Sequence, residues 1–320
     1  MSILNAVGTG QRNWVSLLLS LLCWLPGAPA HAAAPAATTA PAASTGASSK
    51  PAKPTNPATS APLSAPATSA KAAKPVATTT PPGAVAQALE KHLKLRLQVP
   101  AEENAAYTAR LQAALVEAKL ADLPSQYILL VDRNRFVQAM FIYWKTPQAQ
   151  WQLLGAAPVS TGKPGQFDHF HSPLGVFAHT LENHDFRAQG TKNDKGIRGY
   201  GVKGMRVYDL GWAHSERGWG KGGPGIMRMQ MHATDPVLER RMGQRASKGC
   251  IRIPGDLNFL IDHFGLIDAD YEAAAQRGPR LWILRPDRQP VSTPGRYVVI
   301  VDSGLKQKPA WLSSSQAKAN

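Results

Sequence analysis

The chain has 320 residues, with 36 Lys or Arg against 21 Asp or Glu, so its formal net charge is +15. A net positive charge of this size indicates solubility or weak attraction to anionic partners, and it excludes no fold. The length exceeds one average domain, but the first quarter cannot pack a core, so we expect one globular unit with attachments.

Residues 1–32 have the pattern of an export signal. Arg12 precedes an apolar run over 14–25, and small residues suited to cleavage follow at Ala30 and Ala32. The run is shorter than the roughly twenty residues that cross a bilayer, and no later segment is long enough, so we expect no integral membrane protein. Cys23 lies inside the run and would be discarded with it, which leaves Cys250 without an internal disulfide partner.

The predicted export signal indicates where the protein acts and which partners it meets. The mature protein would act in the periplasm or cell wall, where the anionic surfaces are cell-wall polymers and membrane head groups, so we expect no nucleic acid as partner. The sequence leaves the oligomeric state open.

The segment 33–82 consists almost entirely of Ala, Pro, Ser, Thr and Lys and contains no acidic residue. This composition predicts a disordered linker, which either spaces the folded part from its N-terminal attachment or is passive. Helical patterns follow over 84–97 and 100–121, where Tyr107, Leu111 and Leu115 recur on one face. We expect these helices to form an extension over 83–122, as a small appendage without catalytic residues.

Strand patterns begin at Tyr127 and predict a mainly β domain of the α+β class over 123–305, followed by a tail over 306–320. Two apolar runs flank the polar turn 132–135 and predict a β-hairpin. One helix is predicted after Pro254, ending at Gly265. The stretch from Asn183 to Gly225 predicts a long irregular loop. Further strands are predicted at 151–159, 175–179, 226–232, 281–284 and 297–301.

Cys250 is the first candidate for chemistry. Its neighbours Arg245, Lys248 and Arg252 are cationic, and positive charge favours the nucleophilic thiolate. From these residues alone, Cys250 is a reactive thiol, a bridge to another chain or a buried bystander. His232 ends an apolar run, where it is either a base for the thiol or a structural histidine.

Two separated motifs carry a family resemblance. The segment His232-Ala233-Thr234 is followed by Ser247-Lys248-Gly249-Cys250-Ile251-Arg252, and 18 residues separate the histidine from the cysteine. Upstream, residues 158–165 and 172–177 resemble a strand and a Thr-Pro-x-Gly-x-Phe element. Together these resemble the L,D-transpeptidases of the YkuD type over roughly 123–286, which implies a YkuD-like β-sandwich.

The resemblance implies a role for each matching residue. Cys250 would attack a peptidoglycan stem peptide between its third and fourth residues, expel D-alanine and hold a thioester for an amine acceptor. His232 would move the protons, and the carbonyl of Ala233 would orient its imidazole. Ser247 would support the site, and Arg252 would bind a substrate carboxylate.

An oxyanion hole would be formed by the backbone N–H groups of Lys248, Gly249 and Cys250. Lys248 stands where the family has a histidine, so either its ammonium favours the thiolate or only its backbone matters. The 183–225 segment would be a lid or an insertion.

Other functions remain open. A hydrolase would use the same nucleophile and base, with water as acceptor, and a wall-binding module would use neither. His169 and His171 lack a third ligand at recognisable spacing, so no metal or other cofactor is expected.

Overall fold

The computed structural model describes residues 79–278 and 280–314, so the predicted export signal and nearly all of the predicted linker lie outside the described residues. The linker's predicted end is already part of the fold, because the N–H of Thr80 donates to the carbonyl of Pro290 at 3.0 Å. In chain order the elements are α1 (Pro82–His92), α2 (Ala101–Glu117), β1 (Tyr127–Asp132), β2 (Ala139–Lys145), β3 (Trp151–Pro158), β4 (Gly175–Ala178), β5 (Phe186–Arg187), β6 (Arg206–Glu216), β7 (Pro224–Ala233), a 3-10 helix (Pro236–Arg241), β8 (Ile251–Ile253), α3 (Gly255–Phe264), α4 (Ala269–Arg277), β9 (Tyr297–Val301) and α5 (Trp311–Ser314).

Two mixed sheets form a mainly β sandwich with few helices, as the strand patterns predicted. Sheet 1 has the strand order β3-β2-β1-β9-β4, with β1 and β9 parallel, and sheet 2 has the order β5-β6-β7-β8, with β7 and β8 parallel. The predicted hairpin is β1 and β2, which pair antiparallel. All six residues of β1 are buried because both faces of sheet 1 are covered, which explains its continuous apolar sequence.

The main core lies between the two sheets. Alternate residues of β1 contribute one set of side chains, and Met227, Met229 and Met231 of β7 contribute from the other side. Because successive strand residues point to opposite faces, the residues between these methionines lie on the outer face of sheet 2. That outer face carries the candidate site.

The N-terminal helices are part of the two cores rather than an appendage. Val85 and Leu89 of α1 are fully buried in the core between the sheets. The α2 face of Tyr107, Leu111 and Leu115 packs on the other side of sheet 1, where the predicted tail also contributes buried side chains. The expectation of a small appendage to the core is therefore wrong, because sheet 1 is two-sided and these helices supply part of both cores.

Two further expectations are wrong. Residues 281–284 form a turn instead of a strand, and Ile283 and Leu284 pack on Tyr271 of α4, which buries them without a strand partner. The predicted loop over 183–225 contains β5 and the eleven-residue β6. β6 went unrecognised because Gly211 and several polar residues interrupt its alternation. Within the described ranges, no helix combines the length and apolar character needed to cross a membrane.

A buried ion network ties β6 to the helices behind sheet 2. Arg206 is fully buried, and its guanidinium lies 2.7 Å from Asp185 and 2.7 Å from Asp268, with Asp262 at 3.3 Å. His179 is also fully buried, 2.9 Å from Asp185. Burial by itself would lower the pKa of His179, but the charge of Asp185 raises it above its ordinary value.

Candidate active site

The candidate base lies on β7, and the candidate nucleophile directly precedes the adjacent strand β8 of sheet 2. β7 and β8 are parallel, with Met231 opposite Ile251 and His232 opposite Arg252. Met231 and Ile251 are both buried in the core. Because side chains alternate along a strand, His232 and Arg252 point outward, and the half-buried Cys250, which also packs against the main core, directly precedes β8. The fold thus brings together two residues separated by 18 positions in the chain.

His232 is held in one orientation by the backbone. Its Nδ1 donates to the carbonyl of Ala233 at 2.8 Å, which leaves Nε2 as the unprotonated nitrogen. The side chain is 4% exposed. Burial lowers the pKa of His232 to about 4, so the imidazole is neutral at neutral pH and can accept a proton.

The thiol of Cys250 is turned toward the backbone of β7. It is half-buried, and it donates weakly to the carbonyl of Arg228, with 3.9 Å between sulfur and oxygen. Burial raises the pKa of Cys250, while the N–H of Gln230 and the charge of Arg252 act in the opposite direction. The charge of Arg252 thus lowers the thiol pKa, but burial is the larger effect, so the net pKa of Cys250 in the resting structure is raised rather than lowered.

The charged ammonium group of Lys248 lies at the protein surface. Its Nζ lies 3.0 Å from Asp168, and both side chains are more than half exposed. An exposed ion pair of this kind is worth little energy and is weakened by salt. Arg252, rather than Lys248, is the cation whose charge acts on the thiol.

Hydrogen bonds fix the loop that presents Cys250. The hydroxyl of Ser247 donates to the carbonyl of Cys250 at 2.6 Å and accepts from the N–H of Gly249 at 3.0 Å. The hydroxyl of Ser172 donates to the Gly249 carbonyl, so a second segment also holds the loop. The N–H of Gly249, one of three expected in an oxyanion hole, is thus already engaged by Ser247.

Gly249 is required by the local backbone and by its neighbour. Its φ of +141° is rarely adopted by residues with a side chain. A Cβ at this position would also lie 2.7 Å from the end of the Met227 side chain. The glycine before the cysteine therefore sets the loop geometry.

Arg252 is anchored beside the site. Its Nη1 donates to the carbonyl of Ala246 at 3.1 Å, and burial lowers its pKa. Its Nε is buried and has no hydrogen-bond partner among the described residues. A guanidinium with a buried, unsatisfied donor is suited to an incoming anion.

Tyr200 covers the imidazole and was not predicted from the sequence. Its ring meets His232 edge to face, with 4.8 Å between ring centroids, and its hydroxyl donates to Gln230 at 3.3 Å. Burial, assisted by the charge of Cys250, raises the pKa of Tyr200, so the hydroxyl stays protonated. The predicted loop therefore supplies a residue that shields the base.

The rest of the outer face is also lined by residues that the sequence reading missed. Gln230 lies opposite Asp209 and Arg228 lies opposite Trp212 across the β6–β7 pair. A signal for them was present, because polar residues at 228, 230 and 232 alternate with methionines at 227, 229 and 231, which is the pattern of a strand with one open face.

The two histidines considered as metal ligands have other surroundings. His169 Nδ1 bonds to the carbonyl of Lys163 at 2.9 Å, and burial lowers the pKa of His171. Across 79–278 and 280–314, no group of three or more His, Cys, Asp or Glu side chains is arranged to hold a metal ion.

Comparison with known proteins gave structural matches of low similarity. No family model matches the chain. No curated protein matches it in sequence. Among solved structures, an L,D-transpeptidase from Mycobacterium smegmatis matches with a TM-score of 0.27 and 13% identity, covering 55% of this chain and 59% of that one. The helical cell shape determining protein Pgp2 from Campylobacter jejuni matches with a TM-score of 0.25 and 15% identity, covering 60% of this chain and 53% of that one. The chain thus spans less than two thirds of either protein, and this similarity does not place it in a family.

Proposed function

We propose that this protein is a cysteine acyltransferase of the L,D-transpeptidase kind, acting on peptidoglycan stem peptides. The observation that carries the proposal is the arrangement on sheet 2: a neutral His232, with Nδ1 bound to a backbone carbonyl, lies on β7, and Cys250 directly precedes the adjacent parallel strand β8 with its sulfur against the β7 backbone. A base with a fixed tautomer beside a thiol is the arrangement that nucleophilic catalysis requires. The motif around these residues adds the substrate class.

The proposed reaction has two steps. The sulfur of Cys250 attacks the carbonyl between stem residues three and four, its proton moves to Nε2 of His232, and the C–N bond breaks as that proton passes to the leaving D-alanine. An amine acceptor then attacks the thioester, loses a proton to His232 and restores the thiol. The Lys248 and Cys250 N–H groups would bind the oxyanion, and Arg252 a substrate carboxylate.

Proton transfer in the resting site is uphill. A thiol at its ordinary pKa of about 8.5 and an imidazole at about 4 differ by about 4.5 units, or about 6 kcal/mol, and burial of the thiol adds to this. A free thiolate is therefore rare, and proton transfer would accompany attack once substrate has displaced water. We also propose that the enzyme acts in the periplasm or cell wall, on the basis of residues 1–32.

The test is mass spectrometry of a stem tetrapeptide incubated with the full chain. We expect an adduct on Cys250 equal to the tripeptide acyl group, and joined stems when an amine acceptor is present. Cys250→Ala should give no adduct, and His232→Ala should lower the rate by at least about a hundredfold. His92→Ala, at the exposed end of α1, is the matched control and should be unaffected.

The same experiment separates the alternatives. Shortened stems without joined products would mean hydrolysis through the same thioester. Unchanged stems that are still bound by the protein would mean a wall-binding module and would overturn the proposed enzyme.

A further inference from the structure

A groove with a volume of about 490 Å³ opens between β4 and β6. Its walls include Phe177 from β4, Thr180 and Asn183 from the following segment, and Trp212 and His214 from β6. Among the described residues that line it there is one acid, Glu182, and no Lys or Arg. On a chain with a net charge of +15, this groove is nearly neutral.

Trp212 is an exposed and rigidly supported platform in this groove. It is 69% exposed, although an indole is among the side chains that gain most from burial. The guanidinium of Arg228 lies 5.6 Å from the ring centroid, and its Nε donates to both carboxylate oxygens of Asp209 at 2.9 Å. One side of the indole is therefore backed by an anchored cation while the rest stays open to solvent.

A β-bulge places Trp212 on the face of sheet 2 that carries His232. Asp209 lies opposite Gln230 and Trp212 lies opposite Arg228. Three residue steps along β6 therefore correspond to two along β7, which is a β-bulge in β6. Gly211 takes up the extra residue with a φ of +83°. Trp212 therefore lies on the same face as His232, across from Arg228, whose carbonyl is 3.9 Å from the sulfur of Cys250.

The chemistry of the groove fits a sugar better than a charged peptide. The flat apolar surface of an indole matches the C–H face of a pyranose ring, and Thr180, Asn183 and His214 offer donors and acceptors for hydroxyl and acetamido groups. A stem peptide carries carboxylates and an ammonium group, which need ionic partners when they are bound. The lining supplies few of these.

We propose that the Trp212 groove binds an N-acetylhexosamine glycan, the strand to which a stem peptide is attached. This inference rests on the proposed function for the identity of the substrate. The groove would select glycan-linked stems over free peptides, because the indole of β6 and the proposed base His232 of β7 lie on neighbouring strands of one face.

The first test measures binding of a stem-free N-acetylglucosamine tetrasaccharide to the full chain by calorimetry. Trp212→Ala should weaken binding by roughly tenfold, as expected for loss of an aromatic contact. The matched control is Trp282→Ala, which removes an indole that is 72% exposed but lies outside the groove, and it should stay within about twofold of wild type. No binding by wild type, or equal effects of the two variants, would overturn the proposal.

The second test compares kcat/KM for a free tetrapeptide and for the same peptide attached to its disaccharide. Trp212→Ala should lower the value for the glycan-linked substrate only, and Trp212→Phe should restore part of it. Equal losses on both substrates would identify a peptide site and overturn the glycan assignment. If neither substrate is turned over, the proposed enzyme fails, while the tetrasaccharide measurement still decides the groove.

Discussion

Replacing Tyr200 with Ala should raise the pKa of His232. The tyrosine ring lies 4.8 Å from the imidazole and keeps it 4% exposed, and burial is the largest cause of its pKa of about 4. Without the ring, water would reach the imidazole and stabilise its protonated form. Tyr200→Phe keeps the ring and loses only the hydroxyl, so it is the matched control.

The size of the effect follows from proton linkage. An unfolded histidine has a pKa of about 6.5, so the unfolded chain takes up a proton between pH 6.5 and 4 that folded His232 does not. The depressed pKa of His232 therefore lowers the free energy of unfolding as the pH falls from 6.5 to about 4. The decrease is at most about 3 kcal/mol. If the pKa in Tyr200→Ala rises by about one unit, about 1.4 kcal/mol of this loss disappears.

Two measurements check this reasoning. NMR titration of His232 gives its pKa directly, with His232→Gln used to assign the signal. Urea unfolding at pH 7 and pH 4.5 gives the change in the free energy of unfolding, which should be smaller in Tyr200→Ala than in Tyr200→Phe. Superimposable titrations of the two tyrosine variants would refute the role of the ring in burying the imidazole.

Three further predictions concern the surrounding residues. Lys248→Gln should leave the pH profile of Cys250 alkylation unchanged, because the Lys248 ammonium is exposed and paired with Asp168. Arg252→Gln should move the midpoint of that profile upward, because the charge of Arg252 lowers the thiol pKa. Coincident profiles for both variants would contradict this. Gly249→Ala should lower the free energy of unfolding by about 1–3 kcal/mol in urea unfolding, since φ is +141°, and a wild-type midpoint would contradict that strain. Arg206→Met should lower it by about 3–5 kcal/mol, measured in the same way, because it removes the buried cation that Asp185, Asp262 and Asp268 share; a loss below about 1 kcal/mol would show that the network relaxes.

The sequence predicted the elements whose local pattern is strong. The strands of sheet 1 follow short apolar runs and the helix that ends at Gly265 has a clear stop residue, and the structure has them close to the predicted bounds. The bulged strand β6 was missed because its alternation shifts by one residue at Gly211. The run 281–284 was assigned wrongly because a short apolar segment has the same composition whether it joins a sheet or packs as a turn.

The candidate site could be predicted only where residues are close in the chain. The bond from His232 Nδ1 to the Ala233 carbonyl, at 2.8 Å, joins adjacent residues. The cover by Tyr200 and the surface pairing of Lys248 with Asp168 join residues that are 32 and 80 positions apart. Burial, which decides the thiol pKa, is likewise a property of the assembled fold and has no local sequence signal.

The loop that carries Cys250 has consequences for the order in which the molecule folds. Its backbone is held by Ser172, by the N–H of Lys163 at Ser247 and by the N–H of Phe170 at Lys248, so the segment 163–172 must be in place before the loop takes its native conformation. A folding intermediate with native helices and a paired β1–β2 hairpin would still lack this loop. Protection of the thiol from alkylation would therefore follow formation of the sheets, and a refolding experiment should recover their circular dichroism signal before Cys250 becomes protected.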